Sequence, residues 1–244
     1  MPRAVISRSV HTAGVPRRNR VDPMGDLHAV DARGLFTGNR GCLVDDDRQL
    51  VRHHRSNLWI ICVTSFRDWR HELDKPHRWT PLFFLDDAVA LAAGHRPCGF
   101  CRLDDHRAYR DGVTAILGRI SPIRADELNR RLASERLRRG GGLDRARDRR
   151  LWESCIDDLP DGSVIAANDG PRLVHGDRTM AFDFDGWRAP LPRPRDETVQ
   201  VVTPPTSVAA LRGGFRPVLH PTVSSTSGRA AVLEPKGNEP AARD

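Results

Sequence analysis

Two cysteines with two residues between them constrain this chain more than any other feature. In Gly94-His95-Arg96-Pro97-Cys98-Gly99-Phe100-Cys101 the pair sits on a Gly-Pro turn directly behind a short apolar helix. Such a turn brings both sulfurs to one side while backbone N–H groups point at them, so that two thiolates can grip one metal ion. The ion expected at a tetrahedral thiolate site is zinc, Zn2+. A thioredoxin-like redox pair normally opens a helix after a strand, whereas this pair follows a helix and a proline. A redox pair and two inert buried thiols stand as the alternatives.

A structural zinc site needs two further ligands, and the candidates upstream are Cys42, Cys62, His53 and His54, with His95 and His106 closer to the pair. Cys42 and Cys62 make the better choice, because both fall on strand or turn segments just upstream. The expected set is therefore Cys42, Cys62, Cys98 and Cys101. Four thiolates around Zn2+ leave a net charge of about −2, which the flanking Arg40, Arg96 and Arg102 would offset. The same three arginines are the candidate nucleic-acid contacts. Cys155 falls on an apolar face and reads as a small core residue. Five cysteines leave one over in any pairing, so a disulfide framework is not expected, and metal binding in a reducing cytosol makes the chain cytoplasmic.

The segments around the pair have recognisable periods. Leu58-Trp59-Ile60-Ile61-Cys62-Val63 is a continuous apolar run with β-branched residues, the mark of a strand covered on both faces. Trp79 to Phe84 is a second strand, after which Asp86 can cap a helix over Ala88–Ala93 that Gly94 stops. Gly38-Asn39-Arg40-Gly41 marks a tight turn beside a short strand, and Asp45-Asp46-Asp47 a hairpin tip, not an EF-hand loop, since the glycine and closing glutamate are missing. Helices are expected from Asp104 to about Leu117 and from Ala125 to Arg138. A third is expected over 151–159, where Leu151, Trp152, Cys155, Ile156 and Leu159 share one helical face ahead of Pro160. From Gly162 the pattern turns to strands: Ser163–Ala166, Arg172–His175, Thr179–Phe184 and Thr198–Val202, with turns at Asn168-Asp169-Gly170 and Gly176-Asp177. Ala210 to Pro217 echoes Ala90 to Pro97, which reads as a shared way of ending a helix.

The fold class on these patterns is α+β: a small zinc-stapled sheet-plus-helix module, a helical segment, and a β-rich antiparallel meander. The expected divisions are a disordered leader over 1–33, with Met24 as an alternative start; the zinc module over 34–118; the helical segment over 119–160; the β-rich domain over 161–221; and a disordered tail over 222–244. No apolar run approaches the roughly 18–20 residues of a membrane span.

Residues 87–102 resemble the second half of the Ada-type metal-binding domain, in which an Ala-rich helix runs into a Gly-aromatic-Arg-Pro-Cys-x-x-Cys turn. Gly38-Asn39-Arg40 is similar to a Gly-Asn-Lys turn found early in such modules. The resemblance implies that Cys98 and Cys101 are zinc ligands in a small sheet with a helix. That family's first cysteine pair has a C-x-x-x-C spacing that does not occur here, so its methyl-accepting thiolate maps to no residue. The whole chain also resembles an actinobacterial protein family, which implies no activity.

The net charge of +7 favours a polyanionic partner, DNA or another nucleic acid. Only Lys75 and Lys236 are lysines among 39 basic residues, a bias that a GC-rich coding sequence produces without a selected surface. No G-x-S-x-G elbow, phosphate loop or H-E-x-x-H motif occurs. The expected function is thus a zinc-binding protein with a structural site that associates with nucleic acid. The alternatives are a metal-dependent hydrolase or nuclease, with His53, His54 or His95 at an open metal and His106, Asp104 and Asp105 nearby, and a protein-interaction module presenting the meander and Trp187.

Overall fold

The computed structural model describes residues 16–67 and 78–225. It is an α+β structure with two six-stranded sheets and five α-helices among those residues. The first sheet comprises β1 (Arg20–Val21), β2 (Leu27–His28), β3 (Phe36–Asn39), β4 (Ile60–Val63), β5 (Leu82–Phe84) and β6 (Arg96–Pro97), in the order β2-β1-β5-β3-β4-β6. The sheet is mixed: β1 runs parallel to β5 and β4 parallel to β6, and the other pairs are antiparallel. Ile60, Ile61 and Val63 give β4 the stiff, branched side chains that suit a pleated surface.

Helix α1 (Asp87–Ala92) connects β5 to β6 and is buried along its whole length. Asp86 caps it, its carboxylate accepting from Val89 N at 3.0 Å. At the other end Gly94 takes φ +90°, His95 N donates to Ala90 O at 3.0 Å and Gly94 N to Leu91 O at 2.9 Å. That paired closure is a Schellman turn, and it sends the chain back along β4 as β6. A side chain at Gly94 would be strained by φ and would also press on Arg136, with an added Cβ 2.8 Å from Cδ. The echo at 210–217 is the same device. Helix α4 (Pro205–Arg212) ends with Gly214 at φ +105° and Phe215 N donating to Ala210 O at 3.0 Å.

Helices α2 (Leu103–Ile116) and α3 (Ala125–Arg136) follow the cysteine turn. Asp104 does not cap α2. The helix starts at Leu103, and Asp104 and Asp105 sit in its first turn, where negative charge suits the dipole. The second sheet comprises β7 (Trp152–Cys155), β8 (Val164–Ala167), β9 (Gly170–His175), β10 (Arg178–Asp183), β11 (Gly186–Pro192) and β12 (Thr198–Val201). It is antiparallel throughout, ordered β11-β10-β9-β8-β12-β7, and β8 to β11 form the expected meander. The short helix α5 (Thr222–Ser225) closes the described chain.

The helix expected over 151–159 is instead β7 followed by a 3-10 turn, Ile156–Asp158. A nine-residue helix is marginal on its own, and β12 offers this stretch an antiparallel edge from Trp152↔Val201 to Cys155↔Thr198. Trp152 adds a hydrogen bond from Nε1 to Thr203 O at 2.8 Å. The leader is also shorter than expected. Residues 20–28 form β1, β2 and a turn in which Asp22 Oδ1 accepts from Gly25 N and Asp26 N, with Val21 and Leu27 buried. A chain starting at Met24 would lack β1. Residues 1–15 of the expected leader and 226–244 of the expected tail lie outside the described residues, while Val223 is buried in a core.

The division between a zinc module and a separate β-rich domain does not hold in the packing. One core joins the first sheet (Phe36, Ile61, Leu82, Phe84) to Leu91, to Tyr109 and Val113 of α2, and to Leu211 and Phe215. Another packs Leu85, Ala88, Val89 and Ala92 against Val164, Leu173, Met180 and Trp187 of the second sheet. Opposite faces of one short helix thereby enter both cores.

The N-terminal end of α1 carries a buried ion pair, Asp87 bonded bidentately by Arg102 at 2.6 and 2.9 Å. Removing one partner of such a pair leaves a bare buried charge. Arg102→Met is expected to lower the unfolding free energy by about 3–5 kcal/mol in urea melts. Arg107→Met, which loses only the exposed pair with Asp104, should stay within about 0.5 kcal/mol. Equal midpoints for the two variants would contradict this account of the helix end.

Candidate metal centre

Strand register builds the cysteine cluster. Because β4 and β6 run parallel with Ile61 opposite Pro97, the residues that follow, Cys62 and Cys98, arrive side by side. Cys98 N donates to Ile61 O at 2.9 Å and prolongs that pairing. The chain then turns, with Arg102 N donating to Cys98 O at 3.2 Å, and this brings Cys101 back toward both. The sulfurs of Cys62, Cys98 and Cys101 lie within 4.8 Å of one another. Thiolates about 2.3 Å from a tetrahedral zinc ion stand ~3.8 Å apart, so small thiol rotations would close the site.

The surroundings favour thiolate at one position first. Hydrogen bonds from Cys101 and Cys62, with the N–H groups of Cys101 and Phe100, hold the Cys98 thiol well below its ordinary value. Phe100 N lies 3.4 Å from its sulfur. Cys62, hydrogen-bonded to Cys101 and Cys98 and buried, is pushed up. Three thiolates packed this closely repel one another, and a bound cation is what relieves that repulsion.

Cys42 does not join the other three. β3 runs antiparallel to β4 and sets Thr37 opposite Cys62 and Asn39 opposite Ile60, so the chain has already left the level of Cys62 before it reaches Cys42. The Cys42 thiol is buried elsewhere and donates to Val44 O at 3.4 Å. Among the described residues no fourth Cys, His, Asp or Glu completes the cluster. The group thus offers a metal three soft ligands of the kind zinc takes.

The three flanking arginines are all buried and therefore cannot be the expected surface contacts for nucleic acid. Arg96 donates from Nε to Asn129 Oδ1 at 2.9 Å and from Nη1 to Pro97 O at 3.0 Å. Arg102 serves Asp87 and Asp105 and lies over the Phe36 ring. Arg40 lies over the Trp59 ring, 4.1 Å from its centroid, with Nε donating to His95 Nε2 at 3.2 Å. Trp187, expected at an interaction surface, is also buried, its Nε1 donating to Asp86 Oδ2 at 2.7 Å.

His53, His54 and His95 are absent from the cysteine cluster and gather around Trp59, with ring centroids 5.0 to 5.5 Å from it. Burial and the Arg40 charge push His53 down to about 2; burial and Arg136 push His54 down to about 4; and His95 is lowered well below its ordinary value by burial and Arg40. All three are neutral near pH 7, and His106 is lowered by burial and Arg96. No spacing in the sequence signals this second cluster, whose members stand at 40, 53, 54, 59, 95 and 136. The sequence carries no more of it than a general excess of arginine.

The chain matches no family model, no curated protein and no solved structure. Among the described residues no helix is long and apolar enough to cross a membrane.

The histidine cluster has a pH consequence. Below about 6.5 the unfolded chain binds protons at these positions while the folded chain does not, so their contribution to stability falls as pH falls, for His53 through the window from 6.5 to about 2. Asp86, raised to about 6 mainly by burial, acts in the opposite sense between about 6 and its unfolded value. A difference measurement separates the two. His53→Gln, which cannot titrate, is expected to flatten the rise of unfolding free energy between pH 5 and 6.5 relative to the parent in urea titrations. Parallel curves would show that His53 takes up a proton in the fold.

Proposed function

We propose that Cys62, Cys98 and Cys101, with a fourth ligand that the described residues do not supply, hold one zinc ion in a structural site within an Ada-like module, and that the protein associates with nucleic acid. The convergence of three sulfurs, one from β4 and two from the turn after β6, carries the first part. Zinc there would tie β4 to the β6–α2 turn and so fix the start of α2, whose Arg102 bonds Asp87. The N–H groups aimed at Cys98 would hold the thiolate toward the ion.

Support for nucleic acid comes from the net charge and from the segment after α3, where Arg138, Arg139, Arg147 and Arg150 are exposed. Phosphate contacts of this kind bind without base specificity. The lack of a fourth ligand among the described residues favours a second reading, an open zinc site completed by water. Cobalt(II) substitution distinguishes them, because a spectrum unmoved by added small anions marks a closed site.

Elemental analysis of the purified chain is expected to give one zinc per molecule, lost in Cys98→Ser and kept in Cys42→Ser. Structural zinc contributes about 10–16 kcal/mol of apparent binding free energy in small zinc-finger peptides, so chelation should lower the melting temperature by many degrees. A metal-free protein with an unchanged melting curve would end the zinc reading. Retention on immobilised DNA should weaken steeply between 50 and 200 mM salt, and retention indifferent to salt would end the nucleic-acid reading.

A further inference from the structure

Behind the C-terminal end of α3 lies a cavity of about 310 Å³ whose polar side chains are His54, Asn57, Arg136, Arg138, Arg139 and Arg145. No carboxylate lines it. We propose that this cavity binds a phosphate group, carried either by a nucleic-acid strand or by a small phosphate ester.

The floor is Arg136, buried and lying over Trp59 at 3.8 Å. It donates to Gly94 O and Asn57 O, which are neutral acceptors, so its positive charge is hydrogen-bonded but not cancelled. Arg40 and Arg149 are buried and in the same condition. Arg40 bonds to Gly25 O and His95, and Arg149 to the carbonyls of Ala92, Ala93 and Val202. Arg40 Nη2 and Arg149 Nε have no hydrogen-bond partner among the described residues. Among the described residues none of the three forms an ion pair. Burial, joined for Arg40 and Arg136 by repulsion from neighbouring arginines, lowers them to about 9 for Arg40 and Arg149 and about 8 for Arg136.

The nearby negative charges are few. Asp148 pairs with Arg145 Nε at 2.5 Å and accounts for that one rim cation. Asp26 spends its carboxylate on the backbone N–H groups of Arg145 and Ala146, and Asp22 on Gly25, Asp26 and His28. Arg138 and Arg139 stand exposed at the mouth. An uncompensated buried charge that opens onto a cavity attracts an anion, and planar guanidinium forks match the oxygens of phosphate.

The size and rim fit the same ligand. A cavity of this volume lies at the small end of ligand pockets, enough for a phosphate and an attached sugar. Gly140 adds no side chain to the wall, and side chains built at Gly141 or Gly142 would meet nothing within 4 Å, so a longer strand could leave freely. The site stands independently of the metal. It rests on the nucleic-acid reading only for the source of the phosphate.

The test titrates the full chain with inorganic pyrophosphate and, separately, with a labelled single-stranded DNA 12-mer, following tryptophan fluorescence and calorimetry. The paired change Arg138→Glu with Arg139→Glu alters exposed positions only, and retained circular dichroism and urea midpoint confirm its fold. Arg216→Glu, exposed and outside the cavity, is the control. Both ligands are expected to bind saturably, with affinity falling at least about tenfold in the paired variant and unchanged in the control. Pyrophosphate binding lost in the variant, with no binding of DNA, would keep the pocket and remove the nucleic-acid reading. DNA binding that ignores the paired change would remove the pocket and keep that reading. No saturable binding of either ligand would overturn the proposal.

Discussion

Everything in this structure depends on burying both ends of a helix six residues long. A helix as short as α1 has no stability of its own, and nearly all of its terminal N–H and C=O groups lack partners inside it. With no water at hand, each must be met by the protein. At the N-terminal end Asp86 takes the Val89 N–H and, through its other oxygen, the Trp187 indole and the N–H of His220. Asp87 takes Arg102 and the N–H of Val218. At the C-terminal end Arg149 reaches Ala92 and Ala93, and Arg136 reaches Gly94. Segments as distant as 102, 136, 149, 187 and 220 are thus drawn to one element, which explains why the two sheets do not form separate domains.

The cysteine cluster follows from the same helix. Its Schellman closure at Gly94 reverses the chain into β6, and the parallel pairing with β4 then fixes Cys98 beside Cys62. Arg102, one residue past Cys101, is tied back to Asp87 at the opposite end of α1. The turn bearing two of the thiols is therefore anchored at both ends to one rigid body before any metal arrives. Preorganisation of this kind lowers the ordering cost of binding.

Local chemistry was legible wherever it sufficed. Asp86 and Gly94 bracket α1 as their residue types suggest, and the glycine and asparagine turns of the meander fall where strands reverse. Two-residue strands carry no period, so β1 and β2 could not be seen in residues 20–28. The spacing of Leu151, Trp152, Cys155, Ile156 and Leu159 suits a helix, and only the edge of β12 decides for a strand. Cys62 stands three residues past Trp59 in a run whose direction the sequence does not reveal. Its closeness to Cys98, and the distance of Cys42, are both matters of register. A strand pairing shifted toward Cys42 would have suited the same residues, and it is the β3–β4 alignment of Thr37 with Cys62 that excludes it.

Arginine content was the least legible feature, because the residue does two opposite jobs here. Its several donors and weak hydration let one guanidinium bridge carbonyls from different segments, as Arg149 does between Ala92, Ala93 and Val202. Lysine, a compact and strongly hydrated charge, could not do this at the same depth. Carbonyls satisfy hydrogen bonds without neutralising charge, however, and the partial negative end of α1 offsets only a fraction of three cations. The remainder must be felt where the interior meets solvent. Of Arg40, Arg136 and Arg149, it is Arg136 that lines the cavity behind α3, and it does so between exposed arginines. The arginines that close the end of the helix therefore also set the sign of the field at the surface beside it.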